Sequence, residues 1–293
     1  MVTDIVQAHR NRRNMLQAWA THDAETYRAF ADTADRFGLD LRGVDILDLG
    51  CGANAPMSVM LHAAGARVTG VDHKLGHRWG LGFNPTRYWE YIKEAGALRT
   101  ARKIVGECVY DRTYFASLGA STALPLTERG LDLRAMDVSR LDFEDGSFDV
   151  VHSNATWEHL PDVPAANKEV ARVLRPGGLA YIEIHLFPSL SGGHDLPWIV
   201  PGRIDLAGRK EWAHLRDPHW QPPVFLNRLR ERDYLNYFRQ TSGIEVVDWI
   251  TEFVEGEEFL SDEVQRDLPD YSATELTKRS IVALLKKDSS AAS

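Results

Sequence analysis

The chain has 293 residues, 44% of them hydrophobic, which is enough to bury one sizeable core. Its formal net charge of −8 argues against nucleic acid as a partner, because phosphate backbones favour basic surfaces. It has two cysteines, no apolar stretch of the roughly 20 residues that a membrane span needs, and no signal-peptide core at its N-terminus. These features predict a soluble protein of the cytoplasm.

The first predicted element is a helical segment over residues 1–41. Its apolar side chains recur at helical spacing, and two interpretations stay open: a lid over a bound ligand, or a layer packed on the core. We predict one main domain over residues 42–287. Residues 288–293 are expected to form a disordered tail.

A glycine-rich turn follows the first predicted strand, in the sequence VDILDLGCGANAP of residues 44–56. The apolar run predicts a buried strand, and Gly50 and Gly52 allow positive φ and close approach of a ligand to the backbone. The amides of the following helix would face that ligand. The pattern predicts a nucleotide-binding turn, in which we interpret Cys51 as a packing residue rather than a reactive thiol.

Two cofactors fit this turn by pattern alone. Gly50-x-Gly52-x-x-Ala55 satisfies the dinucleotide fingerprint, and Asp72 lies at about the ~20-residue distance expected for its acid. Asp48 distinguishes between the two cofactors. An NAD site normally has an apolar residue at this position, whereas a carboxylate here can accept a hydrogen bond from an ammonium group of a ligand. The turn resembles the D-x-G-x-G motif of the class I S-adenosylmethionine-dependent methyltransferases, in the pattern of methyltransferase type 11.

The resemblance implies S-adenosylmethionine as cofactor and assigns a role to each acid. Asp48 would hold the methionine end, and Asp72, at the end of ARVTGVD, would hold the ribose hydroxyls. The alternative for Asp72 is a helix cap or turn residue. Asp137, in RAMDV, would contact the adenine amino group beside Val138. The remaining predicted cofactor residues are Gly50, Cys51, Gly52, His73, Ser153 and Asn154.

Further landmarks of the family follow in order. FEDGSFDVVH, residues 143–152, predicts a turn and the fourth strand, and RVLRPGG predicts the end of a helix before a fifth strand over 179–186. Residues 244–253 and 279–287 predict the last two strands. The expected fold class is α/β, with a Rossmann-like, seven-stranded, mostly parallel sheet, an antiparallel last strand and helices on both faces.

Two long insertions are predicted on the substrate side, at residues 76–131 and 188–226. The first is rich in aromatic residues, which could line an acceptor site or pack the insertion on the core. The second follows the fifth strand, and such loops lie where α/β sheets bind ligands. Its polar side chains alternate with flat aromatic faces, a mixture that suits a sugar. The tryptophans of this predicted rim are Trp157, Trp198, Trp212 and Trp220.

Methyl transfer from a sulfonium is an in-line displacement, so the protein mainly aligns the acceptor and removes the proton of a hydroxyl. Histidines at the ends of the fourth and fifth strands are the candidate bases: His159, His185 and His194. Asp195 would orient the neighbouring His194. Each histidine also has a structural interpretation.

Glu158 and His159 are candidate metal ligands. In quinone-biosynthesis O-methyltransferases of similar pattern, an E-x-x-E-H segment can hold a divalent ion. Here Ala155 replaces the first glutamate, so Mg²⁺ would need a further oxygen ligand such as Asp162. The alternative is that Glu158 caps the chain and His159 packs against the cofactor.

The resemblance therefore implies an S-adenosylmethionine-dependent O-methyltransferase of class EC 2.1.1. We predict a hydroxyl of a sugar or oligosaccharide as acceptor, as in polysaccharide biosynthesis. The alternative is a phenol, quinone or other secondary metabolite methylated on oxygen or nitrogen, and a silent scaffold or NAD-binding protein is a third possibility. Expected partners are a small-molecule or glycan acceptor and no nucleic acid, with a homodimer as candidate assembly.

Overall fold

A computed structural model describes residues 2–73, 89, 92–93, 96–195 and 210–289 of the chain. The chain divides into two compact units, Met1–Met136 and Asp137–Ser293. Parts of both predicted insertions lie outside the described residues, as do residues 290–293 of the predicted tail. The domain boundaries and the lid therefore stay predictions.

The first unit contains a three-stranded parallel sheet. Its middle strand pairs with both others, with Asp48 opposite Gly70 and Asp72 opposite Ala135. Parallel pairing brings the carboxyl ends of the strands to one edge, where Asp48 and Asp72 lie. The third strand ends at Ala135, the second residue of the RAMDV segment, so Asp137 and Val138 follow the strand. The strands are β1 (Asp45–Leu49), β2 (Arg67–Asp72) and β3 (Asp132–Ala135).

The helices described in full beside this sheet are α1 (Val2–Arg36), α2 (Pro56–Ala63) and α3 (Ala97–Thr122). The first confirms the helical character of the N-terminal segment. Residues 112–118 of the first predicted insertion are part of the 26-residue α3. α1 and α3 pack against each other, where Tyr114 and Phe115 are buried. The Tyr114 hydroxyl donates a hydrogen bond to Asp23 of α1.

The second unit contributes four strands: β4 (Phe148–Asn154), β5 (Leu174–His185), β6 (Ile244–Val254) and β7 (Lys278–Lys287). β5 pairs with β4 in parallel, and β7 runs antiparallel to both β5 and β6. The seven strands form one sheet in the order β3-β2-β1-β4-β5-β7-β6. The predicted Rossmann-like sheet with an antiparallel last strand is confirmed.

β5 begins earlier than the sequence predicted. Its register against β4 jumps from Leu174 opposite Phe148 to Leu179 opposite Val150. The Arg-Pro-Gly-Gly segment between them therefore lies inside an irregular strand start instead of separating the helix from the strand. Gly178 is required there, because a Cβ would lie 2.9 Å from the backbone oxygens of both Arg175 and Asp149.

The helices of the second unit are short. Asp162, considered as a metal ligand, is instead the N-cap of the first, where it accepts the Ala165 N–H at 3.0 Å. The described helices are α4 (Val163–Val173), α5 (Ala213–Arg216), α6 (Glu231–Arg239), α7 (Asp262–Asp267) and α8 (Ala273–Thr277), with 3₁₀ turns at Trp157–His159 and Glu257–Phe259.

A small core lies among the last of these helices. Leu190 and the fully buried Trp212 pack there with Val264, Leu268 and Leu276. The Trp212 Nε1–H donates to the Leu276 carbonyl at 3.1 Å. Among the described helices, none combines the length and apolar character needed to cross a bilayer.

Asp23 gives the packing of α1 on α3 a pH dependence. Burial raises the pKa of Asp23 from its ordinary 3.8 to about 6, although the Tyr114 hydroxyl donates to the carboxylate. The folded state thus favours the protonated acid, so this stabilisation is complete below about pH 4 and is lost as the pH rises through 6. We expect Asp23→Asn to remove the dependence and to raise the free energy of unfolding at neutral pH by about 1–3 kcal/mol.

Urea denaturation from about pH 4 to about pH 8 measures this effect. Asp32→Asn is the matched control, because Asp32 is an exposed acid of the same helix and its replacement should change little. Parallel pH profiles for the wild type and Asp23→Asn would contradict the assignment.

Candidate functional site

The turn after β1 leaves open space beside its backbone. Gly50 and Gly52 both have φ of 71°, and a Cβ on Gly52 would meet no atom within 4 Å. The N–H groups of Gly50 and Cys51 donate to the Val71 carbonyl at 2.7 and 3.1 Å. These bonds fix the turn to β2 while leaving one side of Gly52 accessible. The turn is suited to a ligand that lies directly along the main chain.

Asp72 completes this turn. Its Oδ2 accepts the Gly52 N–H at 3.0 Å, and its Oδ1 lies 3.4 Å from Nδ1 of the exposed His73. The structure therefore brings together three of the predicted cofactor residues, Gly52, Asp72 and His73. The carboxylate holds the glycine turn in place, a function that the spacing of the motif did not reveal.

Asp48 is buried beneath the same turn. Its Oδ2 accepts a hydrogen bond from the Ser58 hydroxyl at 2.5 Å, which joins the end of β1 to α2. Gly70 makes room for this pair, because a Cβ there would lie 2.8 Å from the Ser58 Oγ and 2.3 Å from Leu133 Cδ2. The sequence analysis missed Ser58, whose only signal is its place as a polar residue within the apolar run Met57–Leu61 of α2.

The other predicted cofactor residues belong to the second unit. Asp137 is exposed, and its Oδ1 accepts the Ser139 N–H and hydroxyl at 2.8 and 2.7 Å. Val138 is buried. Ser153 and Asn154 are the last two residues of β4, and Ser153 is fully buried.

Four residues of the second unit form what we call the histidine cluster: Glu158, His159, His185 and His194. The ring centroids of His185 and His194 lie 4.8 Å apart with planes at 29°, and His159 meets His194 edge-on, also at 4.8 Å. Oε1 of Glu158 is 3.9 Å from Nε2 of His194. The carboxylate beside His194 thus comes from Glu158 and not from Asp195, which the sequence had placed there as its orienting group.

A glycine turn places His194 against the cluster. A Cβ on Gly192 would lie 2.2 Å from the Phe187 carbonyl oxygen, and one on Gly193 would lie 2.7 Å from Cβ of His214. Only glycine fits at these two positions. His194 itself has φ of 58°, and its N–H donates to the Ser191 carbonyl at 2.9 Å.

The cluster is largely uncharged at neutral pH. Burial raises the pKa of Glu158 to about 8, against the lowering effect of the nearby N–H groups of Glu158 and His185. Burial likewise raises the pKa of Glu183 to about 7. The same cause lowers the pKa of His194 to about 4 and that of His185 well below its ordinary value.

Hydrogen bonds fix the tautomers of two of these imidazoles. Ser191 donates its hydroxyl proton to Glu255 Oε1 at 2.6 Å, so it accepts from Nε2 of His185 at 2.9 Å. The neutral His185 therefore carries its lone pair on Nδ1. Nδ1 of His159 donates to the Phe225 carbonyl at 2.8 Å, which leaves the lone pair of this imidazole on Nε2.

Asn227 holds the turn that presents Glu158 and His159. Its Nδ2 donates to the carbonyls of Trp157 and Leu160 at 2.7 and 3.1 Å, while the Tyr234 hydroxyl donates to its Oδ1 at 2.8 Å. The fully buried Trp157 also donates Nε1–H to Asn167 at 2.9 Å. The sequence carries no local signal for this role of Asn227, which depends on contacts with a segment about 70 residues earlier in the chain.

The predicted tryptophan rim is only partly present. Trp157 and Trp212 are fully buried and belong to the core. Trp198 lies outside the described residues. Trp220 is half-buried, with its ring 6.3 Å from that of Phe187. Of the three described tryptophans of this predicted rim, only Trp220 is exposed enough to offer a face to an acceptor.

Comparisons with known proteins agree with this architecture. A family model described as "Methyltransferase domain" matches residues 112–182. An uncharacterized methyltransferase of Mycobacterium tuberculosis (strain ATCC 25618 / H37Rv) is 30% identical over 96 residues, which is 32% of this chain and 48% of that protein. The 27-O-demethylrifamycin SV methyltransferase of Amycolatopsis mediterranei (strain S699) is 28% identical over 213 residues, 70% of this chain and 65% of the relative.

The chain thus spans about half to two thirds of the length of these curated relatives. Among solved structures, one assigned as a sarcosine dimethylglycine methyltransferase from Galdieria sulphuraria superposes with a TM-score of 0.50 at 16% identity. The match covers 90% of this chain and 86% of that one, and it supports the fold. Residues 112–182 thus match a methyltransferase domain, and the order of the seven-stranded sheet is consistent with the class I S-adenosylmethionine-dependent methyltransferases.

Proposed function

We propose that this protein transfers a methyl group from S-adenosylmethionine to a hydroxyl of a small molecule such as a phenol, quinol or other secondary metabolite. The open backbone at Gly52, closed on one side by the Asp72 carboxylate, carries the proposal. The similarity to a relative that is named for O-demethylrifamycin methylation supports a small-molecule acceptor.

The first unit would hold the cofactor. When bound, S-adenosylmethionine supplies an electrophilic methyl group on a positively charged sulfur. The glycine turn at Gly50, Cys51 and Gly52 allows the cofactor to approach the backbone closely. Asp72 keeps that backbone in place and offers carboxylate oxygens to hydroxyl donors. Asp48, His73, Asp137, Val138, Ser153 and Asn154 stay our predicted further contacts.

The acceptor assignment follows from where the aromatic residues lie. A saccharide site needs several exposed aromatic faces, and burial removes Trp157 and Trp212 from that role. A small acceptor needs fewer faces, and Trp220 beside Phe187 can provide one. We therefore favour the small-molecule alternative over the sugar acceptor that the loop composition predicted, with oxygen rather than nitrogen as the methylated atom.

The histidine cluster would remove the proton of the acceptor hydroxyl. Within it we assign this step to His159, because its Nδ1–H is bound to the Phe225 carbonyl and its Nε2 is left as the accepting atom. His159 is also half-exposed, whereas His185 is buried. The ring of His194 packs against His159, and that of His185 packs against His194. We assign no role to Asp195.

Radiolabelled S-adenosylmethionine offered with hydroxylated polyketides, phenols, quinols and oligosaccharides tests the reaction directly. We expect label in at least one of the first three classes. Label confined to oligosaccharides would show that the acceptor is a saccharide and not a small molecule. No transfer to any class would contradict the proposal.

Asp72→Ala should weaken the binding of S-adenosylmethionine. The change removes a charged acceptor and frees the Gly52 N–H, a loss of about 1.5–3 kcal/mol or roughly 10–100-fold in Kd. Isothermal titration calorimetry measures the change, with circular dichroism to confirm folding. Asp40→Ala, which removes an exposed acid paired with Arg42, is the control. Equal affinity in Asp72→Ala and the control would exclude Asp72 from the cofactor site.

His159→Ala should slow turnover without changing cofactor affinity. Loss of a general base typically lowers kcat by about 10²–10⁴-fold. Single-turnover methylation with the best acceptor of the panel measures the chemical step. His62→Ala, at a histidine bound to the Arg129 carbonyl in the first unit, is the control. A normal rate in His159→Ala would remove the assignment.

A further inference from the structure

Three members of the histidine cluster are arranged as ligands around one point. One ligand atom from each of Glu158, His185 and His194 lies within 4.8 Å of those of the other two. Oε1 of Glu158 and Nε2 of His194 are already 3.9 Å apart. A metal ion with bonds of about 2.1 Å holds its ligands roughly 3–4 Å apart, so small side-chain rotations bring all three onto a single ion.

The carboxylate of Glu158 gives an independent indication of a ligand. Its side chain is only 2% exposed, and neither oxygen has a hydrogen-bond partner of normal geometry. Nε2 of His194 is buried without a partner as well. A polar group buried without a partner destabilises the fold, so folded proteins retain few of them. A cation between these atoms would satisfy all three at once.

The surroundings of His185 match those of a metal-binding imidazole. Its Nε2–H donates to Ser191, which in turn donates to Glu255, so the ring is oriented and its Nδ1 carries the lone pair. Ligating histidines typically donate their second N–H to such a partner. The positive charge of Arg279 nearby is offset by Glu255, whose Oε2 lies 3.8 Å from the Arg279 Nε.

We propose that Glu158, His185 and His194 bind one divalent first-row transition metal ion, with Zn²⁺ as the representative. Two imidazole nitrogens and one carboxylate suit Zn²⁺, Co²⁺ or Fe²⁺, whereas Mg²⁺ takes oxygen ligands. This ligand set replaces the predicted Mg²⁺ pair of Glu158 and His159, since His159 is held by Phe225 instead. Three protein ligands leave at least one coordination position for water or an acceptor oxygen.

Metal binding to the chelator-treated, full-length protein tests the proposal without any cofactor or acceptor. Zn²⁺ is titrated by calorimetry, and Co²⁺ by its visible absorption, which reports nitrogen and oxygen ligands directly. The variants are Glu158→Gln, His194→Ala and the outer partner Ser191→Ala. His219→Ala, at an exposed histidine of the same unit, is the control for surface binding.

We expect one equivalent of Zn²⁺ to bind, to raise the Tm, and to be retained in His219→Ala. Glu158→Gln and His194→Ala should each lose more than about 100-fold in affinity, and Ser191→Ala about 10–100-fold. Circular dichroism and the Tm without metal confirm that each variant is folded, and either ligand variant alone suffices for the test. Absent Zn²⁺ binding, or binding that both ligand variants retain, would overturn the proposal whatever the outcome of the methylation assay.

Discussion

Parallel strand pairing forces the carboxyl ends of neighbouring strands to finish side by side, and each candidate site of this protein is built on that constraint. In the first unit, β1 and β2 end together, which puts the Asp72 carboxylate within reach of the Gly52 amide. In the second unit, β4 and β5 pair through Asn154 and Glu183, so the chain leaves both strands at one edge. Glu158 follows one strand and His185 ends the other, and they meet there.

The chemistry of the second unit depends on the exclusion of water. Burial favours the uncharged forms of Glu158, His185 and His194, and it leaves both Glu158 oxygens and Nε2 of His194 without a partner. The turn that carries Glu158 is held by hydrogen bonds from outside the turn. The Asn227 side chain donates to the carbonyls of Trp157 and Leu160 on either side of Glu158. The reactive groups and their support therefore come from different segments of the chain.

The sequence predicts the strands well because their apolar runs and terminal acids are local features. Asp48, Gly52 and Asp72 lie where the motif places them, and all of them are near strand ends. What the sequence could not predict depends on contacts between distant segments. The Ser58 hydroxyl reaches Asp48 only after α2 has packed, and Glu158 replaces Asp195 beside His194 only because a glycine turn folds the loop back. The composition of the second insertion also gave a wrong prediction for its tryptophans. A large ring in a polar loop can be buried, and Trp212 is fully buried.

The small core around Trp212 has a consequence for the order of assembly. Leu190 and Trp212 pack on Leu268 and Leu276, and Ser191 is bonded to Glu255, which lies 64 residues further along the chain. Contacts of such long sequence separation form late, after the loop-closure entropy has been overcome. Before Glu255, α7 and α8 are in place, Leu190 and Ser191 lack these partners, and the loop of His194 is held by fewer contacts. The histidine cluster therefore reaches its final geometry only after these distant segments have packed against the loop.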